Sequence, residues 1–232
     1  MIKGHFHIAT TIITPNSFAF KKLDFYNICA IQGLNACNCN GIAIDVITDH
    51  DLHSRGPAAL TPYRAVVTGS QFIESGAHER VMVIGVDKMS AITDMEDRST
   101  CVLFGDGGGG ILLERSEDPD LGIVDFDLHA DGSMGDDLYM KGGGSLHPAS
   151  PETLEKRYHY IRQNGRVVYK LAIVKMAEVS LGLLERNGFT TEDLKLFIPH
   201  QANLRIINAT AERMNLPSEK VVVNIDRLAN TT

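Results

Sequence analysis

The sequence predicts an α/β domain in which helices cover a sheet, and three observations predict it. Val81-Met82-Val83-Ile84-Gly85-Val86 is a short β-branched run of the buried-strand type. From Arg166 to Asn187 the apolar residues Val167, Leu171, Val174, Leu181 and Leu184 recur at roughly helical spacing, and Asn187-Gly188 is a helix stop. Beyond it the pattern alternates again: a strand over Leu194 to Pro199, a helix over Ala202 to Asn215 stopped before Pro217, and a strand over Val221 to Ile225. Strand–helix–strand alternation buries a sheet beneath helices.

The remaining elements follow in order. Phe72 to Ser75 closes a helix, with Gly76 as its stop. Gly110 to Glu114 and Gly122 to Leu128 read as two further strands. Leu138 to Pro151 is rich in Gly, Ser and Pro and reads as a loop. The sheet is expected to continue past Thr232, where no closing element follows.

Composition narrows the function classes. The 232 residues carry 22 Lys and Arg against 29 Asp and Glu, a formal charge of −7, which argues against nucleic acid or an anionic membrane as the main partner. An apolar content of 44% excludes long disorder. No apolar run spans a bilayer and no secretory leader opens the chain, so a cytoplasmic address is the default. Four cysteines in this length make no disulfide framework. Residues 1–50 stand apart: they hold only six formal charges, no Arg and no Glu, yet three of the four cysteines. Either they are a buried segment with polar loops, or they are foreign to the rest of the domain or read in another frame.

Several residues could carry chemistry. The run Gly107-Gly108-Gly109-Gly110 allows very close approach of backbone to backbone or to a ligand, and it lacks the Gly-Lys-Ser/Thr ending of a phosphate loop. His200 follows a strand and precedes a helix, where α/β proteins place reactive groups. It can serve as acid, base or oxyanion donor, or cap the helix that follows. Asn230 alone reads as a turn residue. Cys37-Asn38-Cys39 is too tightly spaced for a usual zinc pair, and the alternating His5 and His7 are more often incidental, so no metal site is expected. Cys101 reads as a small buried residue ahead of an apolar strand.

From about Val67 to Thr232 the chain resembles β-ketoacyl-acyl-carrier-protein synthase III. Seven stretches match in the family's order: Gly69 to Gly76, Val83 to Ser90, Asp97 to Thr100, Phe104 to Gly107, His129 to Gly132, Pro199 to Ile206, and Asn230 to Thr232. The resemblance implies a thiolase-like layered αβαβα fold of two similar halves, incomplete here, working as a homodimer. It divides the chain into a divergent segment over residues 1–65, the end of the N-terminal half over 66–115, and a C-terminal half over 116–232 lacking its last strands. It implies an acyltransferase that condenses an acyl-CoA primer with malonyl-acyl-carrier protein, losing carbon dioxide. CoA and phosphopantetheine thioesters are then substrates, and no cofactor is needed. His200 and Asn230 become the pair that hydrogen-bonds the thioester oxygen. Arg98 meets the CoA nucleotide and Asn203 the pantetheine arm. Gln201, Ala202, Asn203, Leu204 and Arg205, with Lys170, face the acidic carrier protein.

The chain also departs from that pattern. The family's nucleophilic Cys falls on or next to Ala59, and Pro62 is expected to disturb the helix that starts there. Cys39 is the alternative nucleophile. The family's last strands and glycine-rich loop are expected past Thr232. A second reading is therefore a non-condensing relic that dimerises or binds carrier protein, and at most decarboxylates malonyl thioesters.

Overall fold

The structure is a computed structural model that describes residues 42–48, 62–117 and 122–232. Strand β1 (Ile42–Thr48) pairs parallel with β2 (Arg80–Asp87), from Ile42 opposite Arg80 to Thr48 opposite Val86. Strand β3 (Gly107–Glu114) runs antiparallel along the other edge of β2. A strand from the compositionally distinct first fifty residues thus shares a sheet with the rest.

Helix α1 (Pro62–Glu74) lies on this sheet. Ala65 packs with Val81 and Val83, and Ile111 and Leu113 of β3 close the contact. Gly69 makes the approach possible, since a methyl group there would stand 3.0 Å from Leu113 and 3.1 Å from Val83. Pro62 opens α1 instead of disturbing it. At the first helical position proline forfeits only an N–H that no helical carbonyl would receive. The helix also runs across the boundary expected between residues 65 and 66. It ends as expected, with Gly76 at φ +73°.

The C-terminal part is built on α3 (Gly165–Arg186) and α4 (Leu204–Arg213), which pack against each other. Their shared core joins Ala177, Leu183 and Leu184 to Phe197, Ala211 and Met214. The end of α3 is a Schellman motif at the expected Asn187-Gly188. Gly188 N–H donates to Glu185 O at 3.0 Å, Phe189 N–H donates to Leu184 O at 2.9 Å, and Phe189 packs on the core. The buried stripe of α3 differs from the expected one. Ala172, Met176, Ala177, Val179, Ser180, Leu183 and Leu184 are buried, whereas Leu181 is 38% exposed. Small side chains let α4 approach, and a pattern of large aliphatic residues does not find them.

Three expected strands are corrected. Gly122 to Leu128 is irregular. Asp125 takes Phe126 N–H at 2.8 Å, Arg186 Nε at 2.7 Å and Asn187 Nδ2 at 2.8 Å, while Phe126 O accepts from Arg186 Nη2 at 3.0 Å. Side chains satisfy the backbone groups a ladder would use. Neither Leu194 to Pro199 nor Val221 to Ile225 forms a full strand: among the described residues they meet in a parallel bridge, Phe197 to Val221, and Ile225 starts a short helix, α5 (Ile225–Leu228). The expected loop over Leu138 to Pro151 holds β4 (Leu138–Met140), paired antiparallel with β5 (Ile161–Gln163). Helix α2 (Pro151–Glu155), capped by Ser150, lies between them. Among the described residues, no helix is long and apolar enough to cross a membrane.

Candidate functional site

A cavity of about 990 Å³ opens where the first half of α3 meets the loop leading into α4. Tyr169, Ala172 and Met176 of α3 form one wall, and Leu103 and Phe104 form another. His200, Asn203 and Asn230 all line it.

His200 stands just past the Phe197–Val221 bridge, after the buried Pro199. It does not cap α4. That role belongs to Asn203, whose Oδ1 accepts from Ile206 N–H at 2.9 Å. The imidazole is exposed through the cavity, yet the protein around the site desolvates it and lowers its pKa below the ordinary 6.5.

Asn230 is buried, with 8% of its surface exposed, and is fixed by its backbone. Its N–H donates to Leu103 O at 2.9 Å, and its carbonyl accepts from Gly105 N–H at 2.9 Å. Oδ1 accepts from Thr232 N–H at 3.0 Å, so Nδ2 keeps its donor capacity. Gly107, the first of the glycine run, and Gly105 just before it permit this seating. A methyl group on Gly105 would stand 2.9 Å from Ala229 Cβ, and one on Gly107 would stand 2.5 Å from Thr231 Cγ2. Ala229 has φ 58° and ψ −166°, close to a region that is almost exclusively glycine's. The residue before Asn230 is therefore strained, and the anchors at Leu103 and Gly105 oppose its relaxation.

The other expected site residues divide. Ala202, Leu204 and Arg205 line the cavity, and the Arg205 guanidinium lies over the Tyr169 ring at 5.2 Å. Lys170 is exposed on α3 and Arg98 is exposed in the turn after Asp97; neither lines the cavity. Gln201 does not line it either, and its carboxamide is engaged within the chain. Ala59, Cys37, Cys39, His5 and His7 lie outside the described residues. Cys101 is half-buried in a turn, not at the head of a strand.

Sequence reasoning missed Arg166, which lines the cavity, as Arg205 does. Its signal was its i,i+4 spacing from Lys170 on a predicted helix. It also missed Asp94, which is buried and receives Arg157 and, at 3.1 Å, Arg162 Nη2. Arg162 Nη1 also meets Asp97 at 3.2 Å. The hydrogen bond from Arg157 is the main reason that the Asp94 carboxyl sits below its usual pKa. This cluster ties the turn bearing Arg98 to β5, whose Ile161 and Gln163 line the cavity.

Comparison with known proteins gives these residues a context. A sequence profile of 3-oxoacyl-[acyl-carrier-protein (ACP)] synthase III matches residues 58–132, and that family's C-terminal profile matches residues 184–232. A β-ketoacyl-[acyl-carrier-protein] synthase III of Chlorobium phaeovibrioides is 54% identical over 169 residues, covering 72% of this chain and 51% of the relative. The Solibacter usitatus protein of the same description is 50% identical over 249 aligned positions, covering 97% of this chain and 74% of its own length. The crystal structure of 3-oxoacyl-(acyl carrier protein) synthase III from Pseudomonas aeruginosa superposes with a TM-score of 0.64 at 34% identity, over 72% of this chain and 50% of that one. The Thermus thermophilus structure gives 0.66 at 31%, over 82% and 64%. The fold is accordingly of the thiolase-like α/β class. The chain spans about half the length of most of the curated relatives it matches.

Proposed function

The chain belongs to the β-ketoacyl-[acyl-carrier-protein] synthase III family, and from that membership we propose that its cavity is the thioester-binding part of a condensing acyltransferase. The substrates are an acyl-CoA primer and malonyl-acyl-carrier protein, and the product is a 3-oxoacyl-carrier protein. The observation that carries this reading is that His200 and Asn230 line one cavity.

The malonyl carboxylate leaves as carbon dioxide, and its bonding pair becomes an enolate. Negative charge then grows on the thioester oxygen. Asn230 Nδ2–H is a neutral donor at any working pH. His200, held below its ordinary pKa, is a neutral imidazole near pH 7 and donates from one ring nitrogen. Two donors aimed into one cavity stabilise that oxygen more than water would. The enolate carbon then attacks the carbonyl of an acyl-cysteine, and the cysteine thiolate departs.

Asn203 serves the pantetheine arm from the cavity wall. Ala202, Leu204, Arg205 and Lys170 form the docking face for an acidic carrier, joined by Arg166; a local basic rim suffices in an acidic chain. Arg98 takes the nucleotide. No cofactor enters this chemistry. We read the protein as a cytoplasmic homodimer on family grounds.

The test is transfer of radiolabelled acetyl-CoA onto malonyl-carrier protein, with and without Cys39→Ala. Turnover abolished by Cys39→Ala identifies Cys39 as the acyl acceptor. Carbon dioxide release from malonyl-carrier protein at an undiminished rate in His200→Ala would overturn the proposed roles of the pair.

A further inference from the structure

We infer that Gln201 is a positioning residue whose carboxamide sets the separation between His200 and Asn230. This rests on the reading of those two residues as the thioester-oxygen donors.

The carboxamide uses its whole hydrogen-bonding capacity inside the chain. Nε2 donates to Pro199 O at 3.0 Å and to Val222 O at 3.1 Å. Oε1 accepts from Asn224 N–H at 2.9 Å and from Ile225 N–H at 3.2 Å. One side chain thus clasps the residue before His200 and three residues of the strip that leads to Asn230.

Among the described residues, backbone pairing alone would not hold that strip. The Phe197–Val221 bridge has two bonds, Phe197 N–H to Lys220 O at 2.7 Å and Val222 N–H to Phe197 O at 2.9 Å. Past Val222, Gln201 takes the place of a strand neighbour. It also satisfies the first N–H groups of α5, which has no side-chain cap of its own. Helix α5 is only four residues long and has little intrinsic stability, so its direction follows its tethers. Asn230 follows two residues after α5 ends, beyond the strained Ala229. The strip is therefore fixed by Gln201 at one end and by Leu103 and Gly105 at the other. A side chain so committed has no polar atom left over for a carrier protein, unlike its exposed neighbour Arg205.

The test is Gln201→Glu in the full chain, which keeps the shape and the two acceptor bonds but removes both N–H donors. Two readings are taken: malonyl-CoA decarboxylation kinetics and the Asn230 side-chain amide resonances by NMR. We expect the Asn230 resonances to shift although Gln201 does not touch Asn230. We expect kcat to fall about tenfold to a hundredfold, as for a small misplacement of catalytic groups, with KM changed less than about twofold. Unshifted Asn230 resonances in a folded variant overturn the inference whatever the rates. A rise in KM with kcat unchanged overturns it too, since it marks a ligand contact. If the unmodified chain turns nothing over, the proposed function fails, and the resonances alone decide the positioning role. If Gln201→Glu does not fold, the uncharged Gln201→Met gives the same two readings.

Discussion

Gly107 and Thr231 meet so closely that no side chain fits between them: a methyl group on Gly107 would stand 2.5 Å from Thr231 Cγ2 and 2.9 Å from Thr231 Cβ. Gly109, two residues along the same strand, has nothing within 4 Å of such a methyl. Gly107→Ala is expected to destabilise the protein by about 1–3 kcal/mol through overpacking. Gly109→Ala is expected to stabilise it by up to about 1 kcal/mol by restricting the unfolded chain. Urea unfolding of the two variants checks this, and equal midpoints would count against the packing described.

Removing either proposed oxyanion donor should slow malonyl decarboxylation about a hundredfold. Asn230→Ala and His200→Ala are therefore expected to lower kcat alike while leaving the folded fraction intact. Far-ultraviolet circular dichroism with carbon dioxide release measures both. A defect confined to KM would contradict the roles assigned.

The low pKa of His200 has a pH consequence whose sign is fixed. Between its folded pKa and the ordinary 6.5, the unfolded chain binds more protons at this site than the folded one. Its contribution to stability is therefore complete above pH 6.5 and is lost as pH falls towards the folded value. Melting temperatures followed downward from pH 7 should drop less steeply in His200→Gln than in the unmodified protein. NMR titration of the ring should give a midpoint below 6.5.

Thr210 is fully buried on α4, and its hydroxyl has no hydrogen-bond partner among the described residues. An unsatisfied buried hydroxyl costs stability, and valine has the same shape without that cost. Thr210→Val should raise stability by about 1 kcal/mol, read from thermal or denaturant melts.

Much of this was legible in the sequence where local chemistry dictates the outcome. Asn187-Gly188 announces the end of α3 because a positive φ is needed there, and Gly188 has it. His200 and Asn230 were legible through the Pro-His-Gln-Ala-Asn and Asn-Thr-Thr stretches, whose resemblance to a family put them on one thioester oxygen. Distant side chains hid the rest. Nothing near Gly122 to Leu128 reveals that Arg186 will take a carbonyl from that segment. Nothing near Val222 reveals that Gln201 will stand in for a strand. The buried stripe of α3 was obscured because Ala172 and Ala177 carry no hydrophobic pattern strong enough to read.

Asn203 lines the cavity while its Oδ1 holds the first turn of α4. One carboxamide therefore answers to two masters, and an alanine scan of this wall would conflate a loosened helix with a weakened grip on ligand. Asn203→Asp separates them, because it retains the acceptor the helix requires and discards the donor a ligand could use. Only the few short polar residues that can begin a helix would keep that hold on α4, whatever molecule fills the space beside it.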